Sequence, residues 1–410
     1  MTEPAGPESA RPRVRLVRLA LRDFRNFARA ELDVPADGLA IVGENGHGKS
    51  NLLEAVYYLQ LLRSVRGARD AELVRFGAPA FHVAATADVP ATDVAPGERG
   101  RLVTRDVAVG FERATKRKRV RVDGVEPPRL SDALGAVPSV IFSPGDVQLV
   151  AGSPGERRRY LDVVLALTSR RYLHALQSYR AALLRRNAAL RDAARGARTA
   201  DRVAVWEPPL AEHGAVLWTE RRAWVASHAA QFARLCEAIG ERQPAAIGYA
   251  TSLAVEGLAG ADDGGAYREP ALVGRVREAL ERGLADKRAL DLKRGVTHVG
   301  PHRDDLHLLL GGRDLRVFGS AGQQRTAAIA LRMLEAATLR DHSGAEPLFL
   351  LDDPFAELDT RRAHRILELL GDTGGGGLGQ TILVVPRASD IPEELTRLAR
   401  RTIREGTIEG

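Results

Sequence analysis

The sequence predicts an α/β domain split in two by a long helical insertion. Three observations predict it. A buried-strand pattern at residues 39–42 ends in a glycine-rich turn, and an uninterrupted helical stretch follows. Residues 156–240 are rich in Ala, Leu and Arg with few β-branched side chains, the composition of long helices. After Val296 strand-like and helix-like segments alternate again, as in the first part of the chain.

Residues 1–12, rich in Pro, Ala, Gly and Glu, are expected to be a disordered tail. From Val14 apolar residues alternate (Val14, Leu16; Leu19, Leu21; Leu32, Val34), and an Asp37-Gly38 turn precedes the buried run Leu39-Ala40-Ile41-Val42. Residues 51–62 carry neither Gly nor Pro and read as a helix. Residues 80–145 read as strands, punctuated at Pro96-Gly97, Asp123-Gly124 and Pro127-Pro128. The character changes near Pro154, which places the insertion at 155–295, with a Gly/Asp-rich loop at 257–265 and a helix near 271–289. The second half of the α/β domain, 296–410, then holds a strand at 306–310, a helix at 323–340 and a strand at 348–351. A helix at 360–370, a Gly374–Gly377 connector and a strand at 381–385 complete it. The N-terminal half is 13–154.

The 410 residues are 44% hydrophobic and contain no run of 18 apolar residues, so no membrane partner or span is expected. The N-terminus lacks the apolar stretch of a secretory signal. The single Cys236 excludes an internal disulfide and fits a reducing compartment, so a cytoplasmic location is expected. Net charge is +7, compatible with an acidic partner such as nucleic acid. Of the 60 basic residues only five are Lys: Lys49, Lys116, Lys118, Lys287 and Lys293. A chain this partial to Arg keeps Lys where a compact point charge is needed.

Lys49 lies in Gly43-Glu44-Asn45-Gly46-His47-Gly48-Lys49-Ser50, which matches G-x-x-x-x-G-K-[ST] between a strand and a helix. The glycines let backbone N–H groups curl around phosphate oxygens, and the helix that begins near Asn51 adds its N-terminal partial positive charge. Lys49 is placed to meet the terminal phosphates and Ser50 to offer its hydroxyl to Mg²⁺, so the cofactors expected are ATP and Mg²⁺. No N-K-x-D element argues for a GTPase.

The run Leu348-Phe349-Leu350-Leu351 delivers Asp352 and Asp353 to the carboxyl edge of a sheet, where α/β ligand sites lie. Asp352 is expected to hold Mg²⁺ opposite Ser50. Asp353, one residue on, is expected to orient the attacking water, making Lys49 and Asp353 the catalytic candidates. Upstream, Ser320-Ala321-Gly322-Gln323-Gln324 forms a second glycine turn at a helix start, with Ser320 as its cap.

The order P-loop, insertion, S-x-G-Q-Q turn, acidic strand and Glu357-Leu358-Asp359 resembles the ABC-type ATPase family. The resemblance implies an ABC-type P-loop ATPase head, a mixed sheet with flanking helices, split in sequence by an inserted helical arm. Ser320–Gln324 would be the signature motif that binds ATP in trans and Asp359 would belong to the D-loop. Further elements resemble the RecF DNA-repair proteins: Leu21-Arg22-Asp23-Phe24-Arg25-Asn26-Phe27, Arg157-Arg158-Arg159-Tyr160-Leu161-Asp162 and Gly300-Pro301-His302-Arg303-Asp304-Asp305. This implies an ATP-dependent homodimer and a slow, weakly DNA-stimulated ATPase that is chiefly an ATP-gated DNA-binding protein. It would clamp double-stranded or gapped DNA and act with RecR/RecO-type mediators in RecA loading. Another ABC ATPase, transporter-type or nuclease-coupled, is the alternative. The resembling proteins often carry His or Thr where this chain has Val384-Val385-Pro386, which leaves a γ-phosphate sensor there open.

Arg25 and Asn26 are candidates for contact with the nucleotide, or for a solvated hairpin turn. Lys116-Arg117-Lys118-Arg119 on an expected hairpin and Arg63, Arg66 and Arg69 after the P-loop helix are candidates for DNA phosphates, or for protection of an edge strand and a solvated face. No aromatic ladder accompanies them, which favours duplex over single-strand binding. His298, His302, Asp304 and Asp305 have spacings a metal could use, but Gly300-Pro301 breaks the helix two imidazoles four apart would need.

Overall fold

Alternating apolar residues build the first of two sheets in the nucleotide-motif half. Strands β1 (Arg15–Phe24), β2 (Phe27–Asp33), β4 (Ala80–Pro90), β5 (Leu102–Glu112) and β6 (Arg117–Val122) form an antiparallel sheet in the order β2-β1-β4-β5-β6. One face is apolar: in β4, Phe81, Val83, Ala85, Ala87 and Val89 are buried, while His82 between them is exposed. The second sheet has the order β14-β13-β3-β12-β11-β7. Its members are β3 (Gly38–Val42), β7 (Ser139–Phe142), β11 (Leu348–Asp352), β12 (Thr381–Val385), β13 (Ala399–Arg404) and β14 (Thr407–Glu409). All neighbouring pairs are parallel except the β13-β14 hairpin. Parallel strands covered on both faces need continuous apolar runs, and all five residues of β12 are buried.

Helix α1 (Lys49–Leu61) packs against strands of both sheets, and eleven of its thirteen residues are buried. Phe24, Tyr58 and Phe81 meet edge to face between α1 and the first sheet. Short α2 (Asp70–Leu73) follows α1, and α11 (Thr360–Asp372) precedes β12.

The computed structural model describes residues 11–91, 100–195, 200–255, 269–355, 360–372 and 379–409. The chain divides into two units, Met1–Asp146 with Leu331–Gly410, and Val147–Ala330. The second unit contains α3 (Gln148–Ala151), α4 (Pro154–Thr168), α5 (Arg170–Ala194), α6 (Ala200–Ala204), α7 (Glu207–Ile239), α8 (Pro270–Arg294) and α9 (Leu315–Phe318). Its small sheet runs β10 (Arg313–Asp314)-β9 (Asp305–Leu310)-β8 (Ala245–Ala250). The unit boundary falls inside α10 (Ala321–Ser343).

Composition alone places the boundaries at 154/155 and 295/296; the compact units place them at 146/147 and 330/331. The reason is β8, whose Ala245-Ala246-Ile247-Gly248 carries little strand signal yet pairs with β9 along its whole length. That pairing draws 296–330 into the second unit. Residues 11 and 12 are not tail: the Pro12 carbonyl accepts the Glu346 N–H at 2.9 Å, and the Val14 N–H donates to the Glu346 carbonyl at 2.8 Å. Residues 1–10, the Pro96-Gly97 turn, the 257–265 loop and the Gly374–Gly377 connector lie outside the described residues.

Ion pairs hold the interior of the second unit. Arg186, fully buried, donates to Asp291 at 2.7 Å and to Glu207 at 3.0 Å, joining α5, α7 and α8. Arg221 of α7 donates to Asp162 at 2.7 Å and to the Pro301 carbonyl at 2.7 Å. Arg157 forks onto Asp305 with contacts of 2.8 and 2.7 Å. The two resembling motifs around residues 157–162 and 300–305 are thus fastened to one another.

Candidate functional site

The P-loop takes its shape from its neighbours. β3 ends at Val42, and Gly46 (φ 86°) and Gly48 (φ 108°) occupy the left-handed region that favours glycine. A Cβ on Gly48 would stand 2.5 Å from the Asn26 amide, so only glycine fits beside it. The Asn26 Nδ2 donates to the His47 carbonyl at 3.0 Å, and its Oδ1 accepts from Asn51 Nδ2 at 2.9 Å. On the other side the β13-β14 turn holds the loop: the Gly406 N–H donates to the His47 carbonyl at 3.0 Å and the Glu405 N–H to His47 Nδ1 at 3.2 Å.

Lys49 starts α1. Its ammonium donates to the carbonyls of Gly43 and Glu44, the latter at 2.9 Å, and reaches Asn45 Oδ1 at 3.5 Å. Burial holds it below the usual lysine range, against the pull of the Asp352, Asp353 and Glu44 carboxylates. Ser50 Oγ donates to Asp352 Oδ1 at 2.9 Å, although 302 residues separate them. Burial raises the Asp352 carboxyl above the ordinary range, with Asp353 adding to the rise. The Ser50 hydrogen bond and the charges of Arg66 and Lys49 oppose it. Asp353 has a positive φ of 45°, uncommon without glycine, and its N–H donates to the Val384 carbonyl at 2.9 Å. The end of β12 thus lies between the two loops, because the Gly43 N–H donates to the Val385 carbonyl at 3.3 Å. What β12 offers there is backbone, from residues whose side chains are apolar.

Arg25 grips the buried Glu54 through Nε at 3.0 Å and Nη2 at 3.1 Å, and Ser64 Oγ donates to the same carboxylate. Arg66 donates to Asn51 Oδ1 at 3.1 Å. Arg66 therefore belongs to the loop's surroundings as well as to the surface. Ser64, Glu405 and Gly406 stand in no motif; Glu54 stands in the stretch 51–59, which also resembles the RecF proteins, and a carboxylate inside an otherwise apolar helix stretch is the visible clue to its role.

In the second unit the S-x-G-Q-Q turn forms a capping box. Ser320 Oγ accepts the Gln323 N–H at 3.3 Å and Gln323 Oε1 accepts the Ser320 N–H at 2.9 Å. Gln324 Nε2 donates to the Leu315 carbonyl at 3.0 Å. Ser320 and Ala321 are exposed, Gly322 half-buried. Asp359, with Glu357 and Leu358, lies outside the described residues.

The basic candidates separate. Lys116, Arg117 and Arg119 are exposed, but Lys118 turns inward: its ammonium meets Asp70 Oδ2 at 2.8 Å, donates to the Leu62 carbonyl and covers the Tyr58 ring. Arg69 is exposed at the start of α2, and Arg63 is half-buried. Gln60 is fully buried and accepts the Ser139 N–H, a structural contact. His298 binds Asp291 and His302 binds Tyr179 and the Thr297 carbonyl, so the two rings have different partners. Among the described residues no group of His, Cys, Asp and Glu forms a metal cluster, and no helix is long and apolar enough to cross a membrane.

The donor set fits a magnesium nucleotide: a glycine cradle too tight for a side chain, an ammonium at the helix start, and hydroxyl and carboxylate oxygens side by side. A phosphate loop and an acid-tipped strand on one edge of a parallel sheet, with an antiparallel sheet beside it, define an ABC/SMC-type ATPase head. Residues 15–400 match the family model for the RecF/RecN/SMC N terminal domain. The chain belongs to the RecF family of DNA replication and repair proteins. The DNA replication and repair protein RecF of Streptomyces avermitilis is 36% identical over 398 residues, covering 95% of this chain and 98% of that protein. RecF of Chloroflexus aggregans is 36% identical over 396 residues, covering 93% and 96%. A solved structure of the recombination mediator protein RecF with ATPrS in the RecFOR pathway matches with a TM-score of 0.83 at 28% identity, covering 98% of this chain and 99% of that one. The Smc head domain of Pyrococcus furiosus bound to the C-terminal domain of ScpA, at 15% identity and a TM-score of 0.51 over 97% and 95%, shares the fold.

Proposed function

We propose that this chain is an ATP-gated DNA clamp in which nucleotide joins two copies. The observation that carries the reading is the meeting of Ser50 with Asp352, at 2.9 Å, beside Lys49 and Asp353. The loop amides of 43–48 would bind the phosphates, with Lys49 leaving the Gly43 and Glu44 carbonyls for the terminal ones. Ser50 and Asp352 would hold Mg²⁺, which when bound neutralises phosphate charge. Asp353 accepts a proton from the attacking water or orients it. Ser320–Gln324 of a second copy would close over the γ-phosphate, with its N-capped helix start supplying backbone N–H donors. Asp359 would complete that junction.

Because the triphosphate then touches both copies, its hydrolysis removes the contact that holds them together. Binding is the work, and slow hydrolysis resets it. The substrate of the clamp is double-stranded DNA near single-strand gaps, and RecR/RecO-type mediators would use the loaded clamp to promote RecA loading.

Light scattering with ADP and then ATP, with and without gapped duplex, tests the reading. ATP should double the mass and ADP should not. Lys49→Met should stay monomeric, and Asp353→Asn should hold the dimer longer than wild type. A protein that remains monomeric in saturating ATP, or an Asp353→Asn dimer no longer-lived than wild type, overturns it.

A further inference from the structure

We propose that the outer face of the β2-β1-β4-β5-β6 sheet, at the end carrying Arg22, Arg29, His82 and Arg119, is the surface on which the phosphate backbone of double-stranded DNA lies. The proposal rests on the DNA-binding reading above and deepens it. The inner face of this sheet packs on α1; the outer face is polar, and strand register arranges its charges.

Arg29 stands opposite Arg22, Arg22 opposite His82, His82 opposite Gly110 and Gly110 opposite Arg119. Side chains opposite one another in antiparallel strands share a face, so these five positions form one row straight across all five strands. Arg22, Arg29, His82 and Arg119 are all exposed. Four inter-strand steps of about 4.8 Å make the row about 19 Å long. A major groove about 12 Å wide separates two phosphate strands, so a row of this length reaches both. Lys116 and Arg117, exposed at the β5-β6 turn, extend the same end.

Three further features favour a duplex. The centre of the next row inward is Ala20, Ala84 and Ala108, so no bulky side chain there keeps a rigid rod off the sheet. Neither row holds a Phe, Tyr or Trp, whereas single strands need large stacking platforms. The charge is also polarised along the strands. Asp33, Asp88, Asp106 and Asp123 gather at the opposite end, where Asp106 accepts from Thr86, Asp88 from Thr104, and Asp123 from the Asp106 N–H. Thr86 pairs with Arg18, four residues from Arg22, which sets the acidic end about 13 Å away. A polyanion is thereby attracted to one end and repelled from the other. His82 already feels this field: loss of water around the ring, then the charges of Arg22 and Arg121, hold its imidazole below the usual histidine range. Arg29 is shared with Glu31 at 2.8 Å, but the pair is exposed, and such pairs are weak enough to exchange for phosphate. The residue excluded is Lys118, which register puts opposite Phe111 on the inner face.

The test is gapped-duplex binding in ATP as a function of salt, for wild type, Arg22→Gln/Arg29→Gln/Arg119→Gln and the matching triple Lys variant. Removing three arginine–phosphate pairings should lower the slope of log affinity against log salt by about 3 and weaken binding at low salt by on the order of tenfold or more. The Lys variant should keep the slope, and basal ATP hydrolysis, ATP-dependent dimerisation and melting should match wild type in both. An unchanged slope in the Gln variant, with DNA still bound, overturns this surface while leaving the clamp reading intact, and would fit an acidic protein partner instead. Wild type that fails to retain duplex in ATP overturns both. Should the triple variant melt early, Arg22→Gln/Arg119→Gln, which touches no ion pair among the described residues, is expected to lower the slope by about 2.

Discussion

Asn26→Ala isolates what shapes the phosphate loop. Asn26 comes from the β1-β2 turn, not from the loop, and its amide makes two hydrogen bonds, to the His47 carbonyl and from Asn51 Nδ2. Each is worth about 1 kcal/mol net, so about 2 kcal/mol of the loop's preference for this conformation is removed. If ATP needs the loop in this form, the ordering cost moves into binding and affinity falls about 30-fold, at about 1.4 kcal/mol per decade. Asn26→Asp should be worse than Ala. It keeps the acceptor for Asn51 but sets a carboxylate oxygen 3.0 Å from the His47 carbonyl, where the amide had donated. Calorimetric ATP titration of dilute, monomeric protein measures all three, with far-UV melting as the fold control. Asn26→Ala binding ATP within twofold of wild type would refute the claim that this side chain sets the loop. Gly48→Ala should lose more than either, since a left-handed φ of 108° and a 2.5 Å contact both oppose it.

Other outcomes follow from the buried charges. All three tryptophans, Trp206, Trp218 and Trp224, lie in the second unit, so their fluorescence reports that unit's unfolding alone. Asp291→Asn removes one of the two carboxylates that neutralise buried Arg186, leaving Glu207 as its remaining charged partner, and should cost about 2–3 kcal/mol in urea melts followed this way; a loss under about 1 kcal/mol would show the network is not holding the helices. His302 is pushed down to about 4, by burial first, then by the charges of Arg303, Arg158 and Arg221, with its Thr297 hydrogen bond opposing. The unfolded imidazole binds its proton near pH 6.5, so the stability from keeping it neutral is complete above that and is lost as pH falls towards 4. The same melts should lose about 3 kcal/mol across that window, and His302→Gln should flatten most of the dependence; equal slopes in both proteins would count against it. Lys118→Ala should lower the melting temperature without changing the DNA salt slope, the reverse of the Arg22/Arg119 variants.

Strands β3, β11 and β12 and the loops that follow β3 and β11 were legible in the sequence because their signals are local and doubled. A buried run followed by a phosphate loop names β3 and α1 at once, and residues 381–385 are β12 to the residue. Where the signal was single, it failed. β8 has small residues and a glycine, and only pairing with β9 makes it a strand. β13 carries Arg400 and Arg404 on exposed positions with Ile403 buried between them, and β14 is only three residues long, so their role as a brace for His47 is invisible without the sheet order. Tertiary hydrogen bonding decided these segments, and no window of neighbours contains it.

The basic cluster shows how far pattern could have gone. Lys116-Arg117-Lys118-Arg119-Val120-Arg121-Val122 looks like a uniform patch when charges are counted. Strand parity splits it: Val120 is buried, so Lys118 shares its face, and Arg117, Arg119 and Arg121 share the other. The inward Lys118 survives because its ammonium finds Asp70, a carbonyl and a ring face, which together compensate its loss of water. The outward arginines make no such set of contacts, and register aligns Arg119 with Arg22 and Arg29 from distant sequence. The same register ties the row to the nucleotide. Arg22 lies three residues before Arg25, and Arg25 and Asn26 reach Glu54 and the P-loop from the turn between Arg22 and Arg29. Phosphates drawn onto the row would pull on the two strands that position Asn26, and any shift of that turn acts directly on the His47 carbonyl. ATP affinity of the monomer should therefore respond to duplex in wild type and lose that response in Arg22→Gln/Arg29→Gln/Arg119→Gln, by the reciprocity of linked binding. An ATP affinity equally duplex-sensitive in both proteins would mean that the coupling runs through some other part of the head.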